Sequence, residues 1–277
     1  MNAEREPVRL AGDPPRYVEP ALSWLSGSRP RYLAVLVGLT AFYALCLHLA
    51  QVDLDRLWAG LPRLWAWSLR AWPPDFGEFD ALLLRAGETV AIATVGTSLG
   101  VTIAVPLCIL SARNVTPMPA LYLPARALLN GLRGIDSFVF ALLFVAAVGM
   151  GPFAGVLGIA LHTWGSAAKN FADALENLSL EAFEAVRSTG ASRAVALGYA
   201  VLPDVLPVLL STALFWWEFN VRASTVLGVV GAGGIGQELK NSMDLLDFPR
   251  LFTIIAVILV VVTLLDTLSG WLRKRLA

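Results

Sequence analysis

Apolar positions in this chain run in long blocks rather than in stripes. From Tyr32 to Val52 no charge occurs, and only His48 and Gln51 break the apolar character. Thr89 to Ala112 is a second uncharged block, and Leu251 to Leu272 is a third, with the single acid Asp266. About 20 mostly apolar residues cross a hydrocarbon core as a helix, so each block predicts one span. Ser137 to Ala168 also lacks charge, but it is too long for one span and too short for two. Gly149-Met150-Gly151-Pro152 inside it reads as a turn. Two spans then fit if the first starts near Arg126 and tolerates Arg133 and Asp136, and the second covers Phe153 to Phe171. A further span is expected from after Pro207 to about Gly228, enclosing Glu218 and Arg222. The pattern predicts an all-α integral membrane protein with six transmembrane helices.

The segments between the blocks differ in kind. Residues 1–30 are polar, with no apolar stretch of the sort a cleavable signal peptide needs, and read as a cytoplasmic N-terminal tail. Residues 31–52 form the first transmembrane helix, 53–80 an outer interfacial segment, and 81–277 a core with five further spans. Within the interfacial segment, Leu54, Leu57, Trp58, Leu61, Leu64, Trp65 and Leu69 recur at near-helical spacing beside Arg56, Arg63 and Arg70. That spacing predicts an amphipathic helix lying in the membrane surface, stopped by Trp72-Pro73-Pro74. Of the 21 Lys and Arg residues, thirteen fall on one side and six on the other, with Arg133 and Arg222 inside the membrane. The richer side faces the cytoplasm, which puts both termini and residues 180–203 there.

Composition narrows the function classes. Hydrophobic residues make up 57% of the 277 residues and charged ones 15%, with a mean hydropathy of +0.67. Soluble domains carry roughly 25% charged residues. The formal net charge is zero, so no basic field exists to hold nucleic acid. Cys46 and Cys108 both lie in apolar runs, and two histidines, His48 and His162, do not make a metal site. No metal ligand set and no catalytic residues are therefore expected.

The most informative segment is Glu184-Ala185-Val186-Arg187-Ser188-Thr189-Gly190, followed by Ala191-Ser192-Arg193 and, further on, Leu202-Pro203. It predicts a helix, a glycine-permitted turn, a second helix capped by Ser192, and a proline stop. A compact helix pair of this sort suits a groove on a cytosolic partner. The segment resembles the EAA loop of ABC-importer permeases: EAA, three residues, Gly, nine residues, then Ile-x-Leu-Pro. Glu184, Ala185, Gly190, Leu202 and Pro203 match; Val186 replaces the second alanine and Ala200 the isoleucine. A second block, Glu218-Phe219-Asn220-Val221-Arg222 leading into Gly231-Ala232-Gly233-Gly234-Ile235-Gly236, resembles the phosphonate-type permeases, with their E-x-N-x-R helix and GAGGIG loop. Val148 to Leu157 and Asp266-Thr267-Leu268-Ser269 resemble the same group. Asp204 departs from it, standing where Gln commonly follows the proline. GAGGIG-like loops also occur in permeases for methionine and other small solutes.

The resemblance, which covers about Leu82 to Arg275, implies a type I ABC-importer permease fold. It implies a second permease chain, most simply an identical one, two cytosolic ATP-binding subunits and an extracytoplasmic solute-binding protein. ATP and Mg would be held by the partner ATPase subunits, and this chain would bind no cofactor itself. It implies a bacterial inner-membrane location and alternating access for phosphonate or a related small oxyanion. Glu184, Ala185, Arg187, Gly190, Ala191, Ser192 and Pro203 would couple to the ATPase.

Charges inside a membrane cost about 2.5–3.5 kcal/mol each on insertion scales, so they face a bundle interior or a polar cavity. Arg133, Asp136, Glu218, Asn220 and Arg222 are thus candidates for the substrate pathway. An Arg fork suits phosphonate oxygens, while the acid beside each Arg equally allows a self-neutralising structural pair. Gly231, Gly233, Gly234 and Gly236 fit an outer gate loop, a plain turn, or an anion-binding nest of backbone amides. No Lys-Ser/Thr follows them, which excludes a Walker role. Two rivals from other classes stay in view. An intramembrane enzyme lacks HExxH, GxSxG or GxGD here, leaving only His162 and Ser166 four apart. An ion-driven secondary carrier would leave an EAA-like loop without purpose.

Overall fold

A computed structural model of the chain describes residues 29–116, 119–179 and 181–276. Among the described residues, eleven α-helices and one π-helical turn make up the regular structure, and there is no strand. The expected tail at 1–30 lies outside the described residues except for its last two positions.

The described residues form two compact units that divide between Leu64 and Trp65. The first contains α1 (Arg29–Leu49) and the start of α2 (Leu54–Arg70). Every described side chain of α1 is exposed, including Leu36, Leu39, Phe42 and Tyr43. An apolar helix of 21 residues with no buried face is suited to lipid on all sides. In α2, Arg56 pairs with Asp53 at 2.8 Å, and the Leu and Trp side chains stand exposed on one stripe.

The second unit continues with α3 (Phe79–Ser111), α4 (Pro119–Gly134), α5 (Ser137–Val148), α6 (Pro152–Glu176), α7 (Glu181–Ser188), α8 (Arg193–Ala196), α9 (Leu202–Val229), α10 (Ile235–Asp244) and α11 (Phe248–Leu276). Helix α6 is its centre, packed against α3, α4, α5 and α9. Small residues make this possible, because apolar association in lipid relies on close packing rather than on the hydrophobic effect. A Cβ on Gly96 would come within 2.7 Å of Ile159, and one on Gly165 within 2.5 Å of Leu132. The interior holds three apolar clusters: one around Cys108, Leu129, Phe171 and Val205, one around Leu82, Ile235 and Ile254, and one around Ile92, Ile159 and Leu227.

Two expected boundaries change. The span from Arg126 to Val148 is not one helix: α4 and α5 meet at an 85° bend. Asp136 causes the restart, since its carboxylate caps α5 by accepting from the Phe138 amide at 2.8 Å. Pro203 does not stop a helix either. The chain winds continuously from Arg193 to Val229, with a π-helical turn at Leu197–Val201. There the Leu202 amide donates to the Leu197 carbonyl, so the widened turn accommodates Pro203, which has no amide hydrogen to give. The span expected after Pro207 therefore begins earlier.

Among the described residues, four helical segments are long and apolar enough to cross a membrane: Tyr32–Leu49, Phe79–Ser111, Leu197–Val229 and Phe248–Leu276. The bent pair α4–α5 makes a fifth if it counts as one span. Helix α6, with 25 residues, is long enough, but its Gly, Ser, Thr, Asn, Lys and Asp keep it out of that set.

Candidate functional site

The segment Glu181–Val201 is built as its sequence predicts up to the π turn; Leu180 lies outside the described residues. Helix α7 packs Phe183 on the bundle, leaves Val186 half-buried, and leaves Glu184, Ala185 and Arg187 exposed. Gly190 ends it with φ +85°, its amide donating to the Arg187 carbonyl at 3.0 Å. That conformation suits glycine as a helix terminator. Ala191 is half-buried, and the Ser192 hydroxyl accepts from the Val195 amide at 3.4 Å. Ala200 and Val201 are buried, so the position where isoleucine is usual faces the interior.

At the same end of the bundle lies a charged cluster that sequence reasoning missed. Arg126 on α4 pairs with Glu176 of α6 at 2.6 Å and approaches Asp173 at 3.6 Å. Its Nε also donates to the Ser111 carbonyl. The backbone amide of Arg113 donates to Glu176 at 2.9 Å, and Arg113 Nε donates to the Tyr122 hydroxyl at 2.6 Å. That hydroxyl pushes the Arg113 pKa up from its ordinary value. Arg193 reaches across from α8 and donates to the carbonyls of Asn114, Val115 and Thr116 at 3.3, 3.1 and 3.3 Å. The sequence carried no sign of these links, because the Arg193 partners are backbone atoms almost 80 positions away.

The five residues expected on a pathway separate in space. Arg133 and Asp136 are exposed at the α4–α5 bend, and the buried His162 of α6 braces that bend through Nδ1 to the Ile135 carbonyl at 3.0 Å. Glu218 and Arg222 belong to a four-residue network between α9 and α11. Glu218, 13% exposed in its side chain, accepts from Arg222 at 3.1 Å and from Arg273 at 2.7 Å. Arg222, 46% exposed, also reaches Asp266 at 3.4 Å. Two acids and two bases cancel, and the Arg222–Asp266 contact is the longest and most open of the set. Asn220 is wholly buried instead. Its amide donates to Thr97 of α3 and Thr163 of α6, both at 2.8 Å, so one side chain ties three helices.

At the opposite end, the glycine-rich turn closes on itself. The amides of Gly231 and Ala232 donate to the Gly228 and Leu227 carbonyls, and that of Ile235 donates to Thr89 Oγ1 at 2.8 Å. Gly234 has φ +73°, and a Cβ there would lie 2.5 Å from Thr89 Oγ1. A Cβ on Gly236 would lie 1.9 Å from the Thr225 carbonyl oxygen, and Gly233, with φ +79°, packs on Pro152. The turn meets the α5–α6 turn through the Gly151 amide, which donates to the Gly231 carbonyl at 2.8 Å. Three of these amides are thus spent on internal partners. Arg85, Glu88, Glu238, Arg250 and Glu78 form an ion-pair chain beside it.

Residues 87–277 match the family described as the inner membrane component of binding-protein-dependent transport systems. The chain belongs to this family. It is 46% identical over 88% of its length to HtxC of Stutzerimonas stutzeri, a protein assigned as a phosphite transport system permease, and covers 87% of that relative. It is 40% identical over 83% of its length to the phosphite transport system permease protein PtxC of the same species, covering 84% of it. Among solved structures, the MetNI methionine ABC transporter in an inward-facing conformation superposes with a TM-score of 0.61 at 22% identity, over 71% of this chain and 96% of that one. The all-helical ABC-importer permease fold follows from these likenesses. The protein is a multi-pass membrane component of a transporter, not an enzyme, and works with ATPase and binding-protein components.

Proposed function

We propose that this permease subunit carries phosphite, phosphonate or a related small phosphorus oxyanion through the cytoplasmic membrane. The relatives named for phosphite transport, and the phosphate-import permease PhnE of Mycolicibacterium smegmatis at 44% identity over 74% of this chain, support that solute class. Six spans are supplied by α1, α3, the bent pair α4–α5, α6, α9 and α11, with both termini in the cytoplasm. Two copies of the chain build the pathway, two ATP-binding subunits hold ATP and Mg, and a solute-binding protein delivers the anion from outside.

The observation that carries the mechanism is the loop from Glu181 to Val201. It presents Glu184, Ala185 and Arg187 to solvent on a short helix whose apolar side is seated on the bundle. Closure of the ATPase pair pushes on that exposed face, and the continuous helix through the π turn passes the motion into α9. The Gly231–Gly236 turn acts as the outer gate, and the half-exposed Arg222 exchanges Asp266 for the anion in transit. An exchangeable contact favours release, as a conduit requires.

The test is uptake of labelled phosphite into vesicles containing the whole complex, competed by unlabelled phosphite, methylphosphonate, phosphate and methionine. Competition by the phosphorus oxyanions is the expected result. Competition by methionine alone would overturn the solute class and leave the permease role intact.

A further inference from the structure

We infer that Arg193 is the positioning residue that passes motion of the 181–203 loop into α3 and α6 as well as into α9. This inference rests on the reading of that loop as the ATPase dock. Arg193 is not one of the residues that the EAA resemblance places in that dock. Its guanidinium Nη2 lies 3.1–3.3 Å from three successive carbonyls, those of Asn114, Val115 and Thr116, in the turn that follows α3. A charged donor on backbone carbonyls makes charge-assisted bonds, here with the two Nη2 hydrogens shared among three acceptors, so the contact spans the whole turn.

The turn that Arg193 grips is itself fixed to α6. Asn114 Nδ2 donates to the Leu175 carbonyl at 2.6 Å, and the Arg113 amide donates to Glu176 at 2.9 Å. Thr116 Oγ1 folds back onto the Ala112 carbonyl at 2.7 Å, so the turn is tight. A push on α7 and α8 therefore meets a rigid turn joined to two long helices. Val115, Val201 and Val205 belong to one apolar cluster in the same place. Apolar contacts resist separation but allow sliding, whereas a guanidinium held on three successive carbonyls resists sliding across the turn as well. Without it, the loop would still dock and its motion would pass into α9 alone.

The complete complex in vesicles, with phosphite as solute, tests this. In Arg193→Ala the ATPase subunits are expected to co-purify as in the wild type, while phosphite imported per ATP hydrolysed falls at least fivefold. Arg193→Lys, whose ammonium offers three donors, is expected to restore the ratio to within twofold. An unchanged ratio in Arg193→Ala, a Lys variant no better than Ala, or loss of the ATPase subunits from Arg193→Ala would each overturn the inference. If the Ala permease itself fails to fold and reach the membrane, Arg193→Lys against Arg193→Gln carries the same comparison, with the ratio expected to be higher for Lys. Glu184→Lys is the separate control. If the ATPase subunits stay bound in that variant, the dock itself is misassigned, whatever Arg193 does.

Discussion

Asn220 offers the sharpest test of how the bundle is braced. Its side chain is completely buried, and its amide nitrogen makes two hydrogen bonds of 2.8 Å that join α9 to α3 and α6. Asn220→Ala removes both. Hydrogen bonds between membrane helices average about 0.6 kcal/mol each, so their loss costs about 1.2 kcal/mol. The three missing heavy atoms add lost packing of about 1 kcal/mol. Thr97 and Thr163 can turn their hydroxyls to helix carbonyls, as Thr94 and Ser98 already do, which keeps the total near 2 kcal/mol. Asn220 Oδ1 has no partner, so removing it does not raise that figure. Asn220→Asp keeps the shape but places a carboxylate where no cation is bonded to it, at a cost of several kcal/mol. Thermal unfolding of the solubilised complex should therefore rank wild type above Ala and Ala above Asp, with the Ala variant lower by about 4–8 °C. An Asp variant as stable as wild type would refute the reasoning, because it would show that water reaches this position.

Four further outcomes follow from the same geometry. Gly236→Ala should reduce the yield of folded protein sharply, since its Cβ would lie 1.9 Å from a backbone oxygen of α9 that cannot move alone; size-exclusion profiles check this. Arg222→Ala should abolish phosphite uptake while the complex still assembles, because Glu218 keeps Arg273 at 2.7 Å; normal uptake would remove Arg222 from the pathway. Glu218→Ala should be worse for assembly than Arg222→Ala, as it strips both arginines of one shared acid, and co-purification yields decide the order. Arg126→Ala should destabilise the α4–α6 end by about 2 kcal/mol or more, leaving Glu176 short of its partner at 2.6 Å, and protease sensitivity of the 112–126 region reports it.

The sequence showed the spans wherever one long apolar block stood alone, as in α1, α3 and α11. It showed the α5–α6 turn because Gly149-Met150-Gly151-Pro152 has no helical use. It did not show the 85° bend, since Arg133 and Asp136 read equally well as charges tolerated within a span and as the ends of two helices. Pro203 misled for a related reason: a proline signals a missing amide bond, and only the fold reveals a π turn that makes the bond unnecessary. The loop's helix, Gly190 turn and Ser192 cap were legible, because their signals are local. Arg193 and Arg126 were not, since their partners are backbone carbonyls and acids of other helices. The pair Glu218–Arg222 was visible as an i, i+4 spacing, but Asp266 and Arg273, which complete the network, lie on α11 and share no local pattern with it. Asn220 stood in the same motif, and its burial between two threonines depends on how three helices meet.

If residues 181–203 are the ATPase dock, the face carrying Glu184 points into the cytoplasm and is covered there by an ATPase subunit. With Cys46 and Cys108 replaced by serine, Glu184→Cys provides a single reporter for a membrane-impermeant maleimide. No labelling is expected in intact cells, labelling is expected in inside-out vesicles stripped of the ATPase, and protection is expected when the ATPase subunits are restored. Labelling in intact cells would contradict that assignment.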